Sequence, residues 1–181
     1  YFRDNFGLGL KAAGIVAGSF GMMNLFARSL GGIVGDKAGA RWGLKGRVRV
    51  MFMCLFCEGL TLILFSRMSL LIPAVCTLVV FSLFVQMSAG ATYSVVPFVN
   101  KKALGAVTGV VGAGGNFGAF AAGFLFKGSI AWPTALLLMG AVVTLVSFAA
   151  FLVNFSEADE KASVVEPESV SGEMVPAGMT A

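Results

Sequence analysis

Residues 12–35 read AAGIVAGSFGMMNLFARSLGGIVG. A bilayer's hydrocarbon core, about 30 Å thick, takes about 20 apolar residues to cross as a helix. This stretch is long enough, and its single charge, Arg28, lies well inside it. A guanidinium within a span costs about 2.5–3.5 kcal/mol on insertion scales, so it needs a reason. One reason is snorkelling, because the end of the span is about 10 Å away and a long side chain covers much of that distance. The neighbours argue for another. At about 100° per residue, Gly14, Ala17, Gly21, Asn24, Arg28, Gly32 and Gly35 fall within an arc of about 80°. Arg28 thus belongs to a stripe of small and polar residues, which suits other helices or a cavity better than lipid. A permanently charged planar fork there suits a planar oxyanion, since two parallel donors meet two oxygens.

Working outward, the whole chain is as apolar as that stretch. Hydrophobic residues make up 57% of its 181 residues and charged residues only 12%, with a mean hydropathy of +0.90. A soluble domain carries roughly twice that charge. Five stretches qualify as spans: Ala12–Gly35, Val48–Phe65, Leu70–Val95, Leu104–Phe126 and Ala131–Val153. The expected fold is therefore an all-α membrane protein. Residues 1–11 read as the end of a loop, and from Asn154 to Ala181 a Glu-, Ser- and Pro-rich tail holds too little apolar surface to offset chain entropy. That tail is expected to be disordered.

The net charge of +4 sits in the connections, so membrane orientation accounts for it better than nucleic acid. Lys37, Arg41, Lys45, Arg47 and Arg49 lie in the first connection and Lys101 and Lys102 in the third, against Arg67 and Lys127 in the other two. The positive-inside rule makes the richer pair cytoplasmic, with the chain's start outside and its tail inside. An odd span count, an outside start and Tyr1 in place of an initiator Met read as the last part of a longer bundle. No histidine occurs, and Cys54, Cys57 and Cys76 fall in apolar runs as small packing residues, so no metal or other cofactor is called for. Without a nucleophile–base pair or paired carboxylates, an enzyme is not expected either.

Three further groups could carry function. Gly105, Gly109, Gly112, Asn116, Ala119 and Gly123 share a stripe about 80° wide, which reads as close helix packing. That reading leaves Asn116 unexplained, and with Arg28 on another span, Asn116 and glycine backbone are candidates to complete an anion site, as is Asn24 one turn before Arg28. In Gly32–Arg41, Asp36 stands at a helix's carboxy end, where the helix dipole disfavours a carboxylate. It is either a solvated loop acid or part of a latch between packed helices. Glu58, the only acid inside a span, either titrates during proton-coupled transport or serves as a structural hydrogen-bond donor.

Gly32-Ile33-Val34-Gly35-Asp36-Lys37-Ala38-Gly39-Ala40-Arg41 resembles the loop signature of the major facilitator superfamily, here at Gly32, Asp36, Lys37, Gly39 and Arg41. Ala113–Gly118 resembles the nitrate signature of the nitrate/nitrite porters, and so does the context from Gly90 to Val99 and from Lys101 to Gly105. Phe26–Gly32 is similar to that family's eighth helix, whose arginine binds nitrate. The resemblance implies that the five spans are helices eight to twelve of a twelve-helix fold, with the substrate held between two six-helix halves that rock. Arg28 is then a substrate ligand, Gly112, Gly115 and Asn116 line the site, and Asp36 belongs to an intracellular gate whose partner lies outside this chain.

The function implied is proton-coupled uptake of nitrate, or nitrite, at the plasma membrane for assimilation. Its partners are the anion, protons, the lipid bilayer, the missing amino-terminal half of the polypeptide and an accessory membrane protein, with no nucleic acid. Two alternatives stay open: a facilitator for another small anion or organic substrate, and a non-transporting membrane interaction subunit.

Overall fold

The computed structural model describes residues 1–128, 130–156 and 160, and among these it is all-α with no strand. In chain order the helices are α1 (Phe2–Phe6), α2 (Leu10–Ser66), α3 (Leu71–Val95), α4 (Leu104–Lys127) and α5 (Trp132–Ser147). Short 3-10 turns at Val96–Phe98, Lys101–Ala103 and Phe148–Leu152 extend or join them. Pro133 lies in the first turn of α5, where its missing N–H leaves no hydrogen bond unmade. The Asn100 side chain caps the turn before α4, accepting from the amides of Lys102 and Ala103. Four of the helices described have the length and apolarity to cross a membrane.

The charged segment Asp36–Arg47, expected as a connection between two spans, is helical apart from one residue. Gly43 has φ 65° and ψ −157°, and there α2 breaks into two limbs. A side chain at that backbone conformation would be strained, so a glycine is required. The difference has a simple cause. Hydropathy marks where an apolar stretch ends, whereas Ala38, Ala40 and Arg41 are strong helix formers and carry the helix on past it. Of the tail expected at 154–181, residues 157–159 and 161–181 lie outside those described, as does Ser129.

Glycines set how closely the helices approach. Gly31, Gly35 and Gly90 lie where α2 crosses α3, and Gly59 and Gly140 lie where α2 meets α5. A Cβ on Gly31 would overlap the backbone of Met87, and one on Gly90 would overlap the carbonyl of Arg28. Such contact replaces the hydrophobic driving force that lipid-bathed helices lack. Two apolar clusters close the ends. Phe2, Leu62, Phe65, Ala74 and Leu78 form one, with Tyr1 packed on it, and Val48, Val95 and Ala150 form the other, with Phe52 and Phe155 against it. Helix α4 packs against α5 and the turns before it, and none of its residues is buried. Large apolar side chains such as Leu25, Phe26 and Leu145 point outward, as a lipid-facing surface requires.

Candidate functional site

The crossing of α2 and α3 opens a cleft of about 620 Å³, lined by Arg28, Gly32, Asp36, Arg47, Tyr93 and Phe98 among others. Its position follows from the glycines. Gly90 against the Arg28 carbonyl and Gly35 against the Ser94 side chain fix the two helices face to face, and the cleft runs along that seam. Arg28 is exposed within it, with its guanidinium carbon 6.0 Å from the centre of the Tyr93 ring.

Farther along the cleft, Asp36 and Arg47 form an ion pair. The Arg47 side chain is 12% exposed and that of Asp36 64%. The enclosed partner is therefore the cation. Its Nη1 also donates to the Ser94 carbonyl at 3.2 Å, and its guanidinium lies 4.8 Å from the Phe98 ring centre. Gly39 leaves room for the Arg47 stem, because a Cβ there would overlap it. Arg47 thus joins the first limb of α2, the end of α3 and the turn beyond. In this structure Asp36 pairs within the chain, eleven residues on across the Gly43 break.

The other sequence candidates are dispersed. Asn24 is exposed one turn before Arg28, outside the residues lining the cleft. Lys37 and Arg41 are exposed, and Gly39 is buried. Gly112 is half-buried on α4, while Gly115 and Asn116 are exposed; none of the three lines the cleft. Outside their own stretch of helix, no described residue comes within 4 Å of where a Cβ on Gly112 or Gly115 would stand. Glu58 is half-buried on the second limb of α2, and its Oε2 accepts from the Ser88 hydroxyl on α3 at 2.7 Å. The same hydroxyl lies 2.9 Å from the Val85 carbonyl, and with one hydrogen it donates to only one of the two at a time. Among the described residues no group of acids, cysteines or histidines could hold a metal ion.

Sequence reading took Arg47 only as a connection charge and Tyr93 only as part of the Gly90–Val99 context, and it passed over Ser88. The glycines that seat Tyr93 and Arg47 were visible, but their partners are long-range. Chemically, the cleft offers two guanidiniums and one carboxylate, an excess of positive charge at the seam between two apolar helices. Asp36→Asn is expected to destabilise the protein by about 1–2 kcal/mol, between an exposed pair and a fully buried one. The check is the thermal midpoint of the detergent-solubilised full-length protein. The midpoint should fall, recover in part in Asp36→Asn/Arg47→Gln, and contradict the pairing if it stays unchanged.

Comparison with known proteins adds a second line of evidence. A family model described as Major Facilitator Superfamily matches residues 1–176. High affinity nitrate transporter 2.5 of Arabidopsis thaliana is 39% identical over 159 residues, covering 87% of this chain and 32% of that protein. Nitrate transporter 2.2 of Chlamydomonas reinhardtii is 32% identical over 163 residues, 86% of this chain and 32% of its own. Nitrate/nitrite transporter NrtP of Nostoc punctiforme is 35% identical over 121 residues, 65% of this chain and 23% of its own. The chain thus spans about a third or less of the length of these relatives. No solved structure matches.

Proposed function

Because the chain belongs to the major facilitator superfamily, and within it to the nitrate/nitrite porters, we propose that this integral membrane protein carries nitrate across the membrane by alternating access. It is a transporter-family protein and not an enzyme. The observation that carries the reading is Arg28. It is a guanidinium on a membrane helix, facing a cleft, with no carboxylate paired to it among the described residues. A charge so placed is retained for a ligand, and the relatives are named for a small planar oxyanion.

In this scheme Arg28 binds nitrate, with nitrite as a second substrate, and Asn24 stands one turn away on the same face. The amino-terminal half of the full-length polypeptide supplies the opposite wall and brings the open face of α4, with Gly112, Gly115 and Asn116, to the site. The segment Gly32, Asp36, Lys37, Gly39 and Arg41 forms a cytoplasmic gate, with Arg47 holding Asp36. The start of α2 faces outside and the tail lies in the cytoplasm of a plasma-membrane protein that feeds nitrate assimilation. An accessory membrane protein joins the working complex.

Uptake is driven by protons, and Glu58 carries the coupling proton. It is the only acid within the apolar spans, and its hydroxyl partner Ser88 lies on α3, the helix that also bears Gly90 and Tyr93 at the cleft. Protonation of the carboxyl lets it donate to Ser88 Oγ and releases that hydroxyl to the Val85 carbonyl.

The test is uptake of ¹⁵N-nitrate by the full-length protein in cells without nitrate transport of their own, with and without an inward proton gradient. Wild type should accumulate nitrate when the outside is more acidic. Glu58→Gln should abolish that accumulation while leaving nitrate–nitrate exchange within about threefold, a change of less than a kcal/mol. Gradient-driven accumulation that survives in Glu58→Gln would remove Glu58 from the coupling. Absence of nitrate uptake by wild type would overturn the substrate.

A further inference from the structure

Arg28 lies on a lipid-crossing helix, yet among the described residues it makes no ion pair and no hydrogen bond. Its recorded neighbour is an aromatic ring. The guanidinium carbon lies 6.0 Å from the centroid of Tyr93, at the outer reach of a cation–π contact. The approach is built by the backbone. Gly90 packs against the Arg28 carbonyl, so α3 cannot shift at that level without opening the crossing. Tyr93 stands three residues farther along α3, on nearly the same face as Gly90. The crossing therefore delivers the ring to the arginine, and both side chains line the same cleft.

We propose that Tyr93 is a positioning residue for Arg28, holding the guanidinium over its ring face so that the planar fork is presented to the anion. This deepens the reading of Arg28 as the anion's ligand and rests on it. The chemistry favours a ring over a carboxylate. A carboxylate would hold the arginine by occupying its N–H donors, which are the groups an oxyanion needs. The nearby candidate, Asp36, is engaged by Arg47 and so does not compete. An aromatic face attracts the cation through its quadrupole and leaves all the in-plane donors free. Tyr93 is 38% exposed, so its ring forms part of the cleft wall and is not enclosed in the core. Fixing a long, rotamer-rich side chain before the anion arrives removes an ordering cost from binding. The effect should therefore appear in the half-saturation concentration and not in the maximal rate.

The experiment is the concentration dependence of ¹⁵N-nitrate uptake by the full-length protein, normalised to surface abundance, for wild type, Tyr93→Phe and Tyr93→Leu. Tyr93→Phe keeps the ring and should hold KM within about twofold, while Tyr93→Leu should raise it about three- to fivefold with a maximal rate within about twofold. In an Arg28→Lys background, where the fork is gone, Tyr93→Leu should add little. A wild-type KM in Tyr93→Leu overturns the proposal. So does a Tyr93→Phe as impaired as Tyr93→Leu, because the role then lies with the hydroxyl. If Tyr93→Leu fails to reach the surface, Tyr93→Trp replaces it: a KM at or below that of wild type supports the ring's role, and a raised one overturns it. Wild type that takes up no nitrate overturns the anion reading itself, whereas normal wild-type uptake with an insensitive Tyr93→Leu overturns only the positioning role.

Discussion

Arg28→Lys is expected to raise the KM for nitrate by about ten- to hundredfold, the loss of one charge-assisted hydrogen bond worth about 1.5–3 kcal/mol. Lysine keeps the charge, so attraction of the anion into the cleft survives. The geometry does not. A guanidinium sets two parallel N–H groups against two oxygens of a planar anion, while an ammonium is a point charge on a flexible stem. Arg28→Ala removes the charge as well and should leave no measurable high-affinity uptake. The change should also alter selectivity, because the lysine variant loses its preference for planar oxyanions over round ones such as chloride. Initial-rate uptake of labelled nitrate, with surface abundance measured in parallel, reads both effects. A lysine variant with a KM within about twofold of wild type would remove Arg28 from the ligand set.

Gly90→Val should have the second large effect, on folding before function. The glycine's Cα lies so close to the Arg28 carbonyl that any Cβ overlaps it, and the obstructing atom is backbone, which cannot rotate away. Gly31 against Met87 and Gly35 against Ser94 hold the same seam, so opening it at Gly90 strains those contacts too. Overpacking of this kind costs about 1–3 kcal/mol or more. The expected result is a strong drop in membrane abundance, and a lower thermal midpoint for whatever protein is recovered. Gly90→Ala should move both in the same direction. A valine variant that accumulates and melts like wild type would show that the helices do not meet there.

The fold class was legible because hydropathy and span length act locally, and a chain this apolar with so few charges has few alternatives to membrane helices. The continuation of α2 through Asp36–Arg47 was not legible. Hydropathy reports the solvent around a helix and not the helix's end, and nothing singles out Gly43 among the chain's 24 glycines as the one with a positive φ inside a helix. In the site, Arg28 stood out because a single guanidinium amid apolar residues is costly wherever it points. Tyr93 and Arg47 did not, because their roles exist only once α2 and α3 have crossed. The stripe from Gly105 to Gly123 was legible as a face open to close approach. What approaches it was not, and outside the helix itself no described residue comes within 4 Å of the Cβ positions of its glycines.

The comparisons show the family that individual motifs only resembled. The residues around Arg28, Asp36 and Gly112 suggested a nitrate/nitrite porter, and the comparisons lead to the same family by overall similarity. The seam between α2 and α3 gives the proposed anion site a concrete shape, with the Arg28 guanidinium beside the Tyr93 ring and Arg47 paired with Asp36 farther along the cleft.

The central claim is that Arg28 holds nitrate, and equilibrium exchange tests it most directly. The full-length protein is reconstituted into vesicles loaded with unlabelled nitrate, and entry of ¹⁵N-nitrate is followed with no proton gradient imposed, so coupling plays no part. Wild type should show saturable exchange, and Arg28→Lys should reach the same half-saturation only at about ten- to hundredfold higher nitrate. Exchange with the same half-saturation concentration in both proteins would contradict the account.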